Sequence, residues 1–178
     1  MTEEKRNQKQ AGVEVKTFTV PFALGEIKEN ITITTNTSSK PSKEKIINQA
    51  FQFHSQGNIP EAARYYQYFI DQGFSDHRVF LNYGVILKNL GKLQEAELSY
   101  RKAIEIKPDF AKAYLNLGNI LKDLGQPKQA ELSYRKAIQL QPDYAEAHYN
   151  LGIILNDLGK LKEAELLTRK AIEIIFQN

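Results

Sequence analysis

ELSYRKAIEIKPDF (97–110) and ELSYRKAIQLQPDY (131–144) are near copies of one another, and the offset between them is 34 residues. The same step recurs outward from this pair. Gly57, Gly91, Gly125 and Gly159 stand on it, and so do Ala62, Ala96, Ala130 and Ala164. Self-similarity at a fixed period of roughly 20 to 50 residues marks an array in which one small unit stacks on copies of itself. Phased on the glycines, the chain divides without insertion or deletion into 43–76, 77–110, 111–144 and 145–178, preceded by a tail of 42 residues.

Each unit reads as two helices. Phe80, Tyr83, Gly84 and Leu87 recur at i, i+3, i+4 and i+7, one face of an amphipathic helix. After Gly91, a second helical stretch carries the apolar residues Ala96, Leu98, Tyr100, Ala103 and Ile104, with Gln94, Glu95, Glu97, Arg101 and Lys102 exposed. The glycines fall where the first helix has to end in a left-handed residue, a conformation glycine adopts without steric penalty. Pro108 and Pro142 stop the second helix, because proline has no N–H to continue it. Asp143 and Glu146 have the spacing of a reciprocal N-terminal cap. Small residues at Ala50, Gly84, Gly118 and Gly152, set opposite Ala62, Ala96, Ala130 and Ala164, let the paired helices approach closely.

Composition narrows the function classes. The chain has 178 residues and 20.4 kDa, with 42% hydrophobic and 25% charged residues, close to the soluble globular average. A net charge of +3 is too small and too dispersed to point to nucleic acid or an acidic membrane, where binding depends on clustered phosphate neutralisation. Cysteine is absent, which removes disulfides, thiol catalysis and thiolate metal sites and favours an intracellular setting. The opening MTEEKRNQKQ has no apolar core, and no stretch approaches the roughly 18 apolar residues of a membrane span. A cytoplasmic location is expected.

With the apolar, small and proline places set out, the sequence resembles a tetratricopeptide repeat array. The third repeat supplies the pattern with Tyr114, Leu117, Gly118, Leu121, Ala130, Tyr134, Ala137 and Pro142. The first repeat departs at Gln49, Phe69 and Phe74, the fourth at His148, Thr168 and Phe176. The resemblance implies an all-α fold, a right-handed superhelical solenoid of four 34-residue helix-turn-helix repeats. It also implies a concave groove, lined by the first helices, that binds a peptide segment of a protein partner.

Carried over place by place, that groove would present Asn48, Asn82, Asn116 and Asn150 from the sixth position of every repeat. The second position adds Arg78 and Lys112, the twelfth Lys88 and Lys122, and the thirteenth Asp123 and Asp157. Asparagine is a middling helix former, so its recurrence is not a matter of propensity, and its amide offers both a donor and an acceptor to a passing backbone. The ladder is similar to that of O-linked N-acetylglucosamine transferase repeats. A second reading of the same asparagines is duplication of a stable unit that leaves them merely solvated. The pattern of repeats that clamp a C-terminal carboxylate is poorly met, since Ile47 and Phe51 stand at two of its polar places.

Catalysis is not expected of this chain. His54, His77 and His148 occupy three different repeat positions, without metal-ligand spacing, and no phosphate loop or nucleophile elbow is present. Neither a cofactor nor a metal is implied. Tyr65, Tyr66, Tyr68, Phe69 and Phe74 are expected to fill the first joint between repeats. Arg101, Arg135 and Arg169, each four residues after Glu97, Glu131 and Glu165, are expected to pair along a solvated outer face. The tail carries an alternating VEVKTFTVPF stretch, a Ser/Thr-rich linker and two glycosylation-type sequons at Asn30 and Asn36, and is expected to be largely disordered.

Two functional readings remain. One is an adaptor that binds a peptide in its groove; the other is the recognition region of a glycosyl- or sulfotransferase without its catalytic domain. The last helix, LLTRKAIEIIFQN, is apolar at Ile172, Ile174, Ile175 and Phe176, and these are expected to be left uncovered. That end reads as a truncated array, a self-association surface or a docking end for a partner.

Overall fold

A computed structural model of the chain describes residues 42–177, so the tail readings, Ser42 aside, lie outside the described residues. Among the described residues eight α-helices follow one another: α1 (Lys43–Ser55), α2 (Ile59–Asp71), α3 (His77–Asn89), α4 (Leu93–Ile106), α5 (Ala111–Asp123), α6 (Pro127–Leu140), α7 (Ala145–Asp157) and α8 (Leu161–Gln177). No strand occurs among the described residues. The first helices start at Lys43, His77, Ala111 and Ala145, so the step of the sequence is the step of the structure.

Within each repeat the two helices are joined by a glycine in the left-handed region, as at Gly91 with φ +74°. The Gly91 N–H donates to the Lys88 carbonyl at 2.9 Å and the Lys92 N–H to the Leu87 carbonyl at 2.9 Å, closing the orphan carbonyls of α3. Helices α4 and α6 end before Pro108 and Pro142. Helix α2 has no such proline and ends instead on Gly73, also at φ +74°. The expected Asp143–Glu146 cap does not form. The N-cap of α7 is Tyr144, whose side chain caps nothing, because Asp143 lies one residue earlier and its carbonyl accepts the Ala145 N–H. Side-chain caps occur at Ser42, Asn58 and Asp76.

Packing inside the repeat turns on a ring and a glycine. Tyr66, Tyr100 and Tyr134, from the second helices, are fully buried. A Cβ at Gly84 would lie 2.6 Å from the Tyr100 ring, and one at Gly118 2.5 Å from the Tyr134 ring. The small places therefore answer above all to the tyrosine, not to the alanine expected opposite them. In the fourth repeat Thr168 takes the tyrosine's place, its hydroxyl donating to the Ala164 carbonyl at 2.9 Å.

Between repeats, each second helix packs on the next first helix, α4 on α5 and α6 on α7. The α2–α3 joint is looser: it carries Phe69 where later repeats have Ala103, Ala137 and Ala171, with the Phe69 ring tilted against that of Phe74 at 5.4 Å between centres. Helices α3 and α5, and α5 and α7, also approach each other directly, so the stack closes on its first-helix side. That side is concave. On the opposite side Glu97–Arg101, Glu131–Arg135 and Glu165–Arg169 pair at 2.7, 2.9 and 3.0 Å. Two further pairs bridge repeats three and four, Lys160–Glu131 at 2.8 Å and Arg135–Glu163 at 2.6 Å. Leu98, grouped by sequence with the apolar residues of its helix, is instead exposed here with its equivalents Leu132 and Leu166, because a residue two places from buried Ala96 and Tyr100 falls on the other side of a helix.

Two outcomes follow from this packing. Gly118→Val should lower stability by about 2–3 kcal/mol in denaturant unfolding, since the Tyr134 ring behind it has nowhere to move. The Lys160 hydrogen bond, against the opposing effect of burial and with help from Arg135, holds the Glu131 carboxyl below its ordinary value. A carboxylate depressed on folding gives stability that is present above its unfolded value and lost as pH falls through its folded one. The unfolding midpoint should therefore drop less steeply on acidification in Glu131→Gln than in the unchanged chain.

Candidate functional site

The concave side is built from the exposed and half-buried positions of α1, α3, α5 and α7. Asn48 is exposed, whereas Asn82, Asn116 and Asn150 are half-buried at the mouths of the joints between repeats. Burial there has a specific cause. The Asn82 amide hydrogen-bonds the Tyr66 hydroxyl of the preceding repeat, and Nδ1 of His54 lies 2.9 Å from the same hydroxyl. At the last joint the Tyr134 hydroxyl donates to Oδ1 of Asn119 at 2.7 Å, and Nδ2 of Asn150 donates to the same oxygen at 3.0 Å. Asn82 and Asn150 are thus tied, directly or through Asn119, to the tyrosine that organises the repeat before each.

Electrostatics keep these groups in fixed protonation states. Burial pushes the Tyr66 phenol up to about 12, with the Asn82 hydrogen bond acting in the opposite direction. Burial also raises Tyr134, followed by the nearby Asp123 and Glu146 carboxylates. Both hydroxyls remain protonated donors across the physiological range. Burial lowers the His54 pKa, favouring its neutral ring.

The charged residues assigned to this face are partly neutralised within the array. Arg78 is bound to Asp76 at 2.9 Å, and its guanidinium sits 5.4 Å from the centre of the Phe51 ring. Lys88 reaches across a repeat boundary to Asp123 at 3.8 Å. Lys112 and Asp157 are exposed and Lys122 is half-buried. The floor beneath them varies along the stack, with half-buried Phe51 and Val85, then Asn119, then Ile153 at the ninth position. At the fifth, Ile47, Leu81 and Leu115 are buried while Tyr149 stands out, 52% exposed.

Asn119 and Tyr149 were not among the sequence candidates. Asn119 had a signal, being a polar residue at a position that is otherwise Phe51, Val85 and Ile153, but its partners come from two other helices. The histidines do not converge. His77 stacks edge-on to Phe110 at 5.0 Å, and buried His148 places Nε2 2.8 Å from the Pro142 carbonyl oxygen. Among the described residues no group of three His, Asp or Glu side chains is arranged to hold a metal, and no helix is long and apolar enough to cross a membrane.

Comparison with known proteins agrees with this architecture. Family models described as TPR repeat match residues 84–125 and 118–159, and one described as tetratricopeptide repeat matches 145–178. No curated protein sequence matches the chain. Among solved structures, MamA is similar at TM-score 0.72 and 20% identity, over 76% of this chain and 80% of its own. YrrB, described as a TPR protein with an unusual peptide-binding site, is similar at TM-score 0.68 and 20% identity, over 75% of this chain and 69% of its own. A tetratricopeptide repeat protein from Parabacteroides merdae gives TM-score 0.68 and 23% identity, over 76% of this chain and 54% of its own. At these identities the likeness is one of fold.

The shared acceptor at the last joint makes a specific outcome testable. Asn119→Ala strands both the Tyr134 hydroxyl and the Asn150 amide, and should cost about 1–3 kcal/mol of unfolding free energy. In a Tyr134→Phe background the same substitution should cost less, as a double-mutant cycle would read out.

Proposed function

We propose that this chain, a tetratricopeptide-repeat protein, is an interaction scaffold whose concave face holds an extended peptide segment of a partner protein. The observation that supports the reading is the set of half-buried asparagines in register, Asn82, Asn116 and Asn150. The Asn82 and Asn150 amides, held at one end by Tyr66 and by Asn119, have lost rotamer freedom before a ligand arrives, so ordering their remaining donor and acceptor capacity on binding costs little. Mixed and locally paired charges along the face suit a ligand recognised through its backbone more than through a block of one sign. Tyr149 and Ile153 add an apolar patch towards the fourth repeat. The chain's part is to bind; catalysis is assigned to whatever it brings together. The alternative of a transferase recognition region rests on the same asparagines and would use the groove in the same way.

The test replaces Asn82, Asn116 and Asn150 together by Ala and compares capture of partners from native extract, identified by mass spectrometry. The helical circular dichroism signal should persist. Capture should fall about tenfold to a hundredfold, the loss expected for three hydrogen bonds of about 1 kcal/mol each, partly offset. A Leu98→Lys, Leu132→Lys variant of the outer face should capture as the unchanged chain does. Undiminished capture by the asparagine variant, or loss only in the leucine variant, overturns the reading.

A further inference from the structure

Helix α1 departs from the other first helices on two faces. Lys45, Gln49 and Gln52 stand where α3 buries Val79, Tyr83 and Ile86. On the groove side its twelfth position is His54, where α3 and α5 carry Lys88 and Lys122 and α7 carries Asn156. Of these four side chains the imidazole alone titrates near neutral pH. Its half-buried ring stands edge-on to the buried Tyr66 ring, with centres 5.8 Å apart, and its Nδ1 lies 2.9 Å from the Tyr66 hydroxyl. That hydroxyl also meets the Asn82 amide, so side chains from α1, α2 and α3 form one hydrogen-bonded chain that ends at an asparagine of the groove.

A phenol has one proton to give, and an amide has a donor end and an acceptor end, so such a chain has a direction. The Asn82 bond acts to lower the Tyr66 pKa, as a bond donated to the phenol oxygen does. Tyr66 then gives its own proton to Nδ1 of His54. The neutral ring is held with its proton on Nε2, and Oδ1 of Asn82 is left free to accept. Protonated imidazole is a donor at both nitrogens. Its Nδ1–H points at the phenol oxygen, the Tyr66 hydroxyl turns to Asn82, and the amide meets it with Oδ1. The NH2 group of Asn82 is then what remains for the groove.

We propose that His54 is a specificity-determining residue of the first joint, its protonation reversing the hydrogen-bonding sense in which Asn82 meets a bound backbone; this rests on the reading of the concave face as a peptide groove. An extended segment offers N–H and C=O groups in turn, so an acceptor and a donor at Asn82 hold it in different registers. The surroundings leave the imidazole as the group that responds. Within α1 the nearest charged residue is Lys45. Helix α2 supplies Tyr66, while its Glu61 and Arg64 pair with each other at 2.8 Å. From α3, Tyr83 lies 6.4 Å from the Tyr66 ring and donates to Gln67, Arg78 lies over Phe51 and is bound to Asp76, and Lys88 reaches to Asp123. At the last joint Tyr134 and Asn150 both donate to Asn119, a set without a histidine.

Nuclear magnetic resonance on the 178-residue chain, titrated from about pH 8 to about pH 5, tests this without any partner. At the upper end the Nδ1 resonance of His54 should be that of an unprotonated ring nitrogen. The Asn82 side-chain amide resonances should then follow the His54 ring with one midpoint, below the ordinary histidine value because burial lowers it. Contacts from the Asn82 NH2 protons to the Tyr66 ring should be lost over the same range. Tyr66→Phe keeps the ring and removes the relay, so His54 should still titrate while the Asn82 amide no longer follows it. In His54→Gln the Asn82 amide should not respond to pH. A proton on Nδ1 in the neutral ring, an Asn82 amide indifferent to His54, or one that follows it equally in Tyr66→Phe overturns the proposal. These readouts need no bound peptide, so failure of the relay is separate from failure of the peptide-binding reading, which the capture experiment decides.

Discussion

The contact on which the rest of this structure depends is that of the Tyr100 and Tyr134 rings with Gly84 and Gly118. A ring lying where a Cβ would otherwise be sets how closely the two helices of a repeat approach. Once that spacing is set, the ring's hydroxyl emerges near the boundary with the next repeat. The apolar face of the following first helix then closes over the ring. One side chain thus links the packing within a repeat, the packing between repeats and the polar groups at the joint mouths, where Tyr134 meets Asn119 and Asn150.

Because every repeat touches only its neighbours, the stability of such a stack is close to a sum of unit and joint contributions. The joints here are unequal. Phe69 occupies space that alanine leaves open later in the chain, and α2 stands less closely on α3 than α4 does on α5. The aromatic cluster at the first joint compensates with area: Tyr66 and Phe69 are fully buried, and Phe53 lies 5.3 Å from Tyr65. The last joint adds the ion-pair bridges from Glu131 and Arg135, whose partners Lys160 and Glu163 belong to the next repeat.

How much of this was legible in the residues depended on distance along the chain. The helix pairs, the left-handed glycines, the proline stops and the buried tyrosines follow from local sterics and periodicity, and the sequence carries them openly. The Asp143–Glu146 cap had the right spacing yet did not form, because the turn after Pro142 puts Tyr144 at the cap and takes Asp143 into the turn. The tether of Asn150 was not legible at all. It requires knowing that Asn119 and Tyr134, on α5 and α6, meet a residue 31 positions beyond Asn119. The polar face of α1 lies between these cases: Lys45, Gln49 and Gln52 stand out from their equivalents in the other repeats, but only the buried state of those equivalents gives the difference a meaning.

The near identity of the second and third repeats carries a hazard of its own. Helices that look alike can pair one repeat out of register, and a chain of copies has several compact arrangements of comparable energy. The end units break that degeneracy. Sliding the pairing by one repeat would bury Lys45, Gln49 and Gln52 in an apolar joint, or leave Thr168 where a ring is needed. The departures from the consensus at the ends therefore act as an address system, telling each helix which copy is its neighbour.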